Sequence, residues 1–314
     1  MKKVAIVGLG WLGMPLAMAL SARGWQVTGS KTSPDGVDAA RRCEMCIRDR
    51  LGMPLAMALS ARGWQVTGSK TSPDGVDAAR RSGIDAFQLV LSPELECEAD
   101  DLAALMAVDA LVVTLPASRT VQGGEDYMQA VQNVVDTALA NKVPRIIFTS
   151  STSVYGSGDG VRKESSALQP ETVAGKTLVE LENWLHDLPG TSVDIVRLAG
   201  LVGPNRHPGR FLAGKTNLEN GAHAVNLVHL DDVVDAIVLL LQTPKGGHVY
   251  NLCAPKHPSR DSFYPSVSKQ LGLVPPTFAP EPVRASGKVI DGSKICHELG
   301  FEYSYDDPMK MPLE

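Results

Sequence analysis

Gly8-Leu9-Gly10-Trp11-Leu12-Gly13 is a G-x-G-x-x-G set between a short apolar run and a helix-patterned segment. That context suits the chemistry of holding a pyrophosphate. Gly8 permits the tight turn, Gly10 lets the backbone approach the phosphates, and Gly13 lets helix and strand pack closely. The helix N-terminus then faces the anion. Twenty residues on, the chain reads Thr28-Gly29-Ser30-Lys31-Thr32, with no acid before Asp35. A site selective for NAD places Asp or Glu here for the ribose 2′-hydroxyl. The Ser30 hydroxyl and the Lys31 cation suit a 2′-phosphate instead, so NADP(H) is favoured over NAD(H). Trp11 and Leu12 in the loop, and Leu115, Pro116 and Ala117 where a fourth strand ends, complete the expected cofactor-contacting set.

Other constellations are weaker. Arg206-His207-Pro208-Gly209-Arg210 is a basic loop whose arginines could grip an anionic group bidentately, or could be solvated. Cys43-Glu44-Met45-Cys46 is a C-x-x-C without a second half. The seven His and the other three Cys show no metal-ligand spacing, so no metal is expected.

That C-x-x-C sits in an unusual place. Residues 12–42 recur letter for letter at 51–81, 31 identical positions at an offset of 39. Solenoid repeats drift in sequence and come in larger numbers. The eight residues between the copies, CEMCIRDR, contain a string that resembles the translation of a transposase adapter used in sequencing libraries. The segment 43–81, or an equivalent 39-residue window, is therefore read as an artefactual insert, with a recent duplication as the alternative. Removing it leaves 275 residues. Because Gly13 ties the loop at once to a helix, residues 1–30 are expected in the core. The spare copy is expected as a poorly packed excursion.

The elements that must position these residues alternate. Strands are expected at Lys3–Val7, Trp25–Gly29, Ala86–Leu91, Ala110–Leu115, Arg145–Thr149 and Ser192–Leu198. Helices are expected at Leu12–Arg23, Asp100–Ala107, Tyr127–Ala140 and Thr177–His186. Such alternation means an α/β fold with a doubly wound parallel sheet. Residues 1–200 form the expected dinucleotide-binding domain. Residues 201–314 supply a small substrate cap, and 224–252 return to the sheet through strands at Ala224–Val228 and His248–Leu252 and a helix at Asp232–Leu241, with Asp231 as its N-cap.

Composition narrows the class. With 30 Lys+Arg against 35 Asp+Glu the formal charge is −5, which argues against a nucleic-acid partner. No stretch approaches the ~20 apolar residues of a membrane span. Lys2 and Lys3 before an apolar run faintly suggest a signal peptide, but the run carries the glycine loop and reads as mature structure. Five Cys do not make a disulfide framework, and a reducing cytoplasm is expected.

Several separated motifs now accumulate: Gly8–Gly13, then Phe148-Thr149-Ser150-Ser151-Thr152-Ser153-Val154-Tyr155-Gly156, then Val196–Pro204, Asn226–Val233 and Tyr250-Asn251-Leu252. Together and in this order they resemble the extended short-chain dehydrogenase/reductase superfamily of epimerases and dehydratases, most nearly its atypical YeeZ-like group. The resemblance implies a Rossmann fold, a nicotinamide cofactor and a small, sugar-like substrate, with a homodimer as the assembly to look for. It also implies roles. Ser151 matches the hydroxyl that polarises the substrate carbonyl, and Lys176 the lysine that holds the nicotinamide ribose. The tyrosine that acts as general acid/base falls on Thr172, whose hydroxyl is far too weak an acid to replace a phenol. Tyr155 reads as structural, and Tyr127 or His207 as a displaced acid. Two functions follow from this: an oxidoreductase or epimerase-like enzyme, or a catalytically silent NADP(H)-binding sensor or regulator.

Overall fold

The computed structural model describes residues 3–7, 26–30, 66–70, 73, 76, 77, 80, 84–92, 94–115, 117, 121–204, 206–280 and 287–313. The glycine loop, the expected first helix, Lys31 and Pro116 lie outside them. In chain order the strands are β1 (Lys3–Val7), β2 (Gln26–Ser30), β3 (Val66–Lys70), β4 (Ile84–Gln88), β5 (Val90–Ser92), β6 (Glu94–Glu96) and β7 (Ala110–Val113). They continue as β8 (Arg145–Ser151), β9 (Gly160–Arg162), β10 (Ser192–Leu198), β11 (Gly200–Val202), β12 (Leu227–His229), β13 (Val249–Leu252) and β14 (Lys288–Ile290). The helices are α1 (Ala99–Met106), α2 (Val121–Ala140), α3 (Val173–His186), α4 (Leu230–Gln242), α5 (Arg260–Gln270) and α6 (Lys294–Leu299).

The main sheet has eight strands in the order β13-β10-β8-β7-β1-β2-β3-β4. β1 pairs in parallel with β2 on one side and β7 on the other. The chain thus winds outward from β1 in both directions, which makes the fold Rossmann-like. The strand order reverses between β1 and β7, and ligands of such sheets bind beyond the strand ends at that point.

The chain divides into two compact units. The first comprises Met1–Thr149, Lys176–Ile195 and Ile237–His248. Its core is built on β7, every residue of which is buried, and on the α2 stripe Val131, Val134, Val135 and Ala138. The i, i+3, i+4, i+7 spacing of that stripe is what makes the segment an amphipathic helix. Near the strand starts, Asp194 is fully buried. It accepts from Arg145 Nε at 2.9 Å and Nη2 at 2.7 Å, and from His248 N at 3.1 Å. The second unit comprises Ser150–Gly175, Val196–Ala236 and Val249–Glu314. Its core gathers Val202, Val225, Leu227, Ala254, Phe263, Val267, Met311 and Leu313.

Several expectations need correcting. The second copy is not wholly an excursion: its strand, β3, lies in the sheet between β2 and β4, paired in parallel with both. An identical β-former can hydrogen-bond beside its own copy as readily as any other strand. The expected strand Ala86–Leu91 breaks at the buried Leu89, and β5 turns back to pair antiparallel with β6. β12 does not join the main sheet. It pairs with β11 in a two-stranded sheet, because the chain leaves the main sheet at Ala199, and Gly200 N instead donates to Asn226 O. Helix α4 begins at Leu230, so Asp231 lies in its first turn and not at the cap. His229 Nδ1 accepts from Asp231 N at 3.2 Å, and its Nε2 donates to Pro312 O at 2.9 Å. Helices α2 and α3 start earlier than apolar periodicity alone indicates.

Candidate active site

Strand β8 ends on Ser151, and a 3-10 turn, Thr152–Tyr155, follows. Ser151 Oγ accepts from Ser153 N at 3.1 Å, which caps the turn and leaves the hydroxyl proton to donate elsewhere. Gly156 closes the turn with φ 72°, and a Cβ there would stand 2.3 Å from Gln169 O. Only glycine fits at that point.

The phenol of this turn is committed. Tyr155 is buried, donates to Asn251 Oδ1 at 2.7 Å and accepts from Arg197 Nη1 at 2.8 Å. Burial raises its pKa, against the pull of Arg197. Glu164 joins the same network, its Oε1 accepting from Asn251 N at 2.8 Å and its carbonyl from Arg197 at 3.3 Å. Tyr155 is structural, as its place at the strand end suggests.

Thr172 precedes α3 and is exposed. Its Oγ1 accepts from Gly175 N at 3.0 Å, an N-cap bond. A Cβ on Gly175 would stand 3.1 Å from both Thr172 Oγ1 and Ser153 O. The start of α3 and the Ser151 turn are therefore in close contact, leaving little room for a side chain at 175. Lys176 lies one helical turn beyond Thr172, on the same face, and is exposed. Beside Thr172, Glu171 accepts from Ser157 Oγ at 2.8 Å on each oxygen and from Ser157 N at 3.1 Å. Those bonds lower its pKa.

Both alternative acids are buried and engaged in hydrogen bonds within the fold. Tyr127 is buried, donates to Leu115 O at 3.2 Å, and is driven by desolvation well above the usual phenol range. His207 is buried, and its Nδ1 accepts from Gly209 N at 3.0 Å. Of the arginines offered for an anion, Arg206 Nε donates to Leu201 O at 2.9 Å, bracing its own loop, while Arg210 is exposed.

On the cofactor side, Ser30 ends β2 directly across from Val7, the last residue of β1. Leu115 is buried and Ala117 half-buried just beyond β7. Ser30, Leu115 and Ala117 lie at or just beyond the ends of strands that border the switch point, where sheets of this kind take their ligands. Among the described residues no cluster of His, Cys, Asp or Glu could hold a metal ion. Glu171 and Lys288, which meet the Ser151 turn, escaped sequence reasoning. The only signal was a lysine between Gly287 and the apolar Val289–Ile290.

The parallel sheet, with its switch point between β1 and β7, defines a Rossmann-like α/β protein. The sequence matches the NAD dependent epimerase/dehydratase family over residues 4–253, and the chain belongs to that family. It is 59% identical to protein YeeZ of Escherichia coli K12, over the whole of both chains. Among solved structures it resembles the UDP-Glc/GlcNAc 4-epimerase of Campylobacter jejuni, with TM-score 0.71 and 17% identity over 98% of this chain and 96% of that one. It also resembles the UDP-glucuronic acid 4-epimerase of Bacillus cereus, solved with NAD, with TM-score 0.68 and 17% identity over 99% and 97%.

Proposed function

We propose that this chain is an NAD(P)-dependent oxidoreductase or epimerase-like enzyme acting on a small sugar-like metabolite, of the chemical kind that its structural neighbours take as UDP-sugars. The observation that carries the reading is the Ser151 turn: a hydroxyl fixed as acceptor by Ser153 N, its proton left to donate, at the end of a parallel strand. A bound nicotinamide supplies the site for hydride exchange. Ser151 donates to the substrate oxygen, and Lys176 bonds the cofactor ribose. Gly8, Gly10 and Gly13 hold the pyrophosphate, with Trp11 and Leu12 beside it and Leu115, Pro116 and Ala117 along the rim. Ser30 and Lys31 favour NADP(H) over NAD(H). The described cysteines, Cys97, Cys253 and Cys296, are free, in keeping with a cytoplasmic enzyme. A homodimer is the assembly this reading assigns.

Titration calorimetry with NADPH and NADH, followed by a screen of sugar nucleotides and simple sugars for cofactor-dependent turnover, tests the reading. NADPH should bind more tightly. Lys31→Ala should weaken NADPH by roughly tenfold or more, as loss of a charge-assisted bond does, and NADH far less. Equal weakening of both, or tighter NADH binding by the parent, overturns the preference. A second reading, a silent NADP(H)-binding regulator, draws on Thr172, whose hydroxyl caps a helix where a phenol would act. Cofactor binding without turnover of any screened metabolite would favour it.

A further inference from the structure

Strand β14 holds Lys288 firmly. One edge pairs in parallel with β9, Lys288 opposite Gly160 and Ile290 opposite Arg162. The Asn226 side chain occupies the other edge as a short strand would: Nδ2 donates to Lys288 O at 2.8 Å, and Oδ1 accepts from Ile290 N at 2.8 Å. From this strand Lys288 Nζ donates to Gly156 O at 2.7 Å and to Thr152 O at 3.0 Å. Those carbonyls bracket the turn in which Ser153 N meets Ser151 Oγ.

A lysine is an expensive way to fill this place. Desolvation pushes its pKa below the ordinary lysine range, with Arg162 adding to the push and Glu171 opposing it. An unbranched apolar side chain would fill the same space without burying a charge. What the ammonium adds is two charge-assisted bonds to backbone 132 and 136 residues away. They fix both ends of a turn in which Ser153 N also donates to Ser151 Oγ and Gly156 N to Ser153 O.

We propose that Lys288 is a positioning residue for Ser151, clamping Thr152 and Gly156 so that the Ser151 hydroxyl keeps its acceptor bond from Ser153 N and presents its proton to the substrate. This rests on the reading of Ser151 given above. The test compares the full-length parent with Lys288→Met and Lys288→Arg by residue-resolved amide hydrogen exchange. In Lys288→Met, Ser153 and Gly156 should exchange about tenfold faster or more, while Ile147 in β8 and Ile290 in β14 stay within about twofold. Lys288→Arg, which restores a cation with several donors, should recover most of the protection. Where the parent turns over a substrate, Lys288→Met should lower kcat about tenfold or more with cofactor Kd unchanged, and Lys288→Arg should recover part of it. Unchanged exchange at Ser153 and Gly156, equal acceleration at all four amides, or unchanged kcat in an active enzyme overturns the proposal. Should Lys288→Met not fold, Lys288→Gln, neutral but still a donor, is read by the same criteria. Absence of turnover in the parent counts against the enzymatic reading, and the exchange pattern then decides the clamp alone.

Discussion

Thr172 shows how one side chain can look like a defect and serve a structural purpose. Its Oγ1 satisfies one of the N–H groups that a helix start leaves unpaired. Thr172→Ala should therefore cost about 1 kcal/mol of stability in chemical denaturation. Thr172→Tyr should lose the same cap while gaining a proton donor, and general acid catalysis is worth about 10²–10⁴-fold. The expected outcome is a less stable protein with faster turnover of a carbonyl substrate. A Tyr variant no faster than the parent would show that the position no longer faces the chemistry. A buried residue far from this site makes a sharper stability test. Asp194 is fully buried between Arg145 and His248, so Asp194→Ala leaves a guanidinium with, among the described residues, only backbone partners at Thr243 and Lys245. A loss of about 3–5 kcal/mol is expected. Ser151, Thr172 and Lys176 could be proposed from the sequence because a hydroxyl, a gap and a lysine at fixed spacing survive in one dimension. Lys288 was not, since its partners lie more than 130 residues away.

Elements were legible where periodicity runs long and illegible where a single polar contact sets the boundary. Helix α3 begins where Thr172 caps it, four residues before its apolar stripe becomes regular. Strand β4 ends at Gln88 although the apolar run continues, because Val90–Ser92 finds a closer partner in β6. Helix α4 begins on Leu230 because the His229 ring serves its first turn, a role sequence reading gave to Asp231. The next acid, Asp232, is nearly inaccessible and accepts from Ser304 N at 2.7 Å and Tyr305 N at 3.3 Å. Desolvation outweighs those bonds and raises its carboxyl above the ordinary 3.8. The folded state then keeps the proton to higher pH than the unfolded chain does. Stability from this group is fully present below the unfolded pKa and is lost as pH rises through the folded value. Measured against Asp232→Asn, whose side chain does not titrate, the parent should be relatively more stable at about pH 4 than at about pH 7. The reverse slope would mean that the two backbone bonds prevail over burial.

At the scale of the whole molecule, the doubly wound parallel sheet follows from the alternation of strands and helices, but the fate of the repeat does not. Two identical segments carry no signal that says which belongs. The pairing supplies the reason both are accommodated: Val27 opposes Val66, the same position in the two copies, so β3 lies on β2 in register. β1 needs a parallel neighbour in the register of Val27, and β4 needs one in the register of Val66. One copy can meet both needs, and the second lengthens the sheet by one strand, moving β4 outward by about 4.8 Å. That shift falls on the side of β1 away from β7, so the switch point keeps its neighbours, and the Ser30 copy stays beside β1. We therefore propose that 43–81 is dispensable. Deleting it joins Arg42 to Ser82 and should give a 275-residue chain with a seven-stranded main sheet. Its thermal midpoint should equal or exceed the parent's, since residues 12–42 supply the same sequence to the shortened chain, which has 39 fewer residues to lose conformational entropy on folding. Its NADPH affinity should remain within about twofold, because the glycine loop and β7 are untouched. A shortened chain that does not fold, while the 314-residue chain does, would establish the second copy as an integral strand and the duplication as genuine.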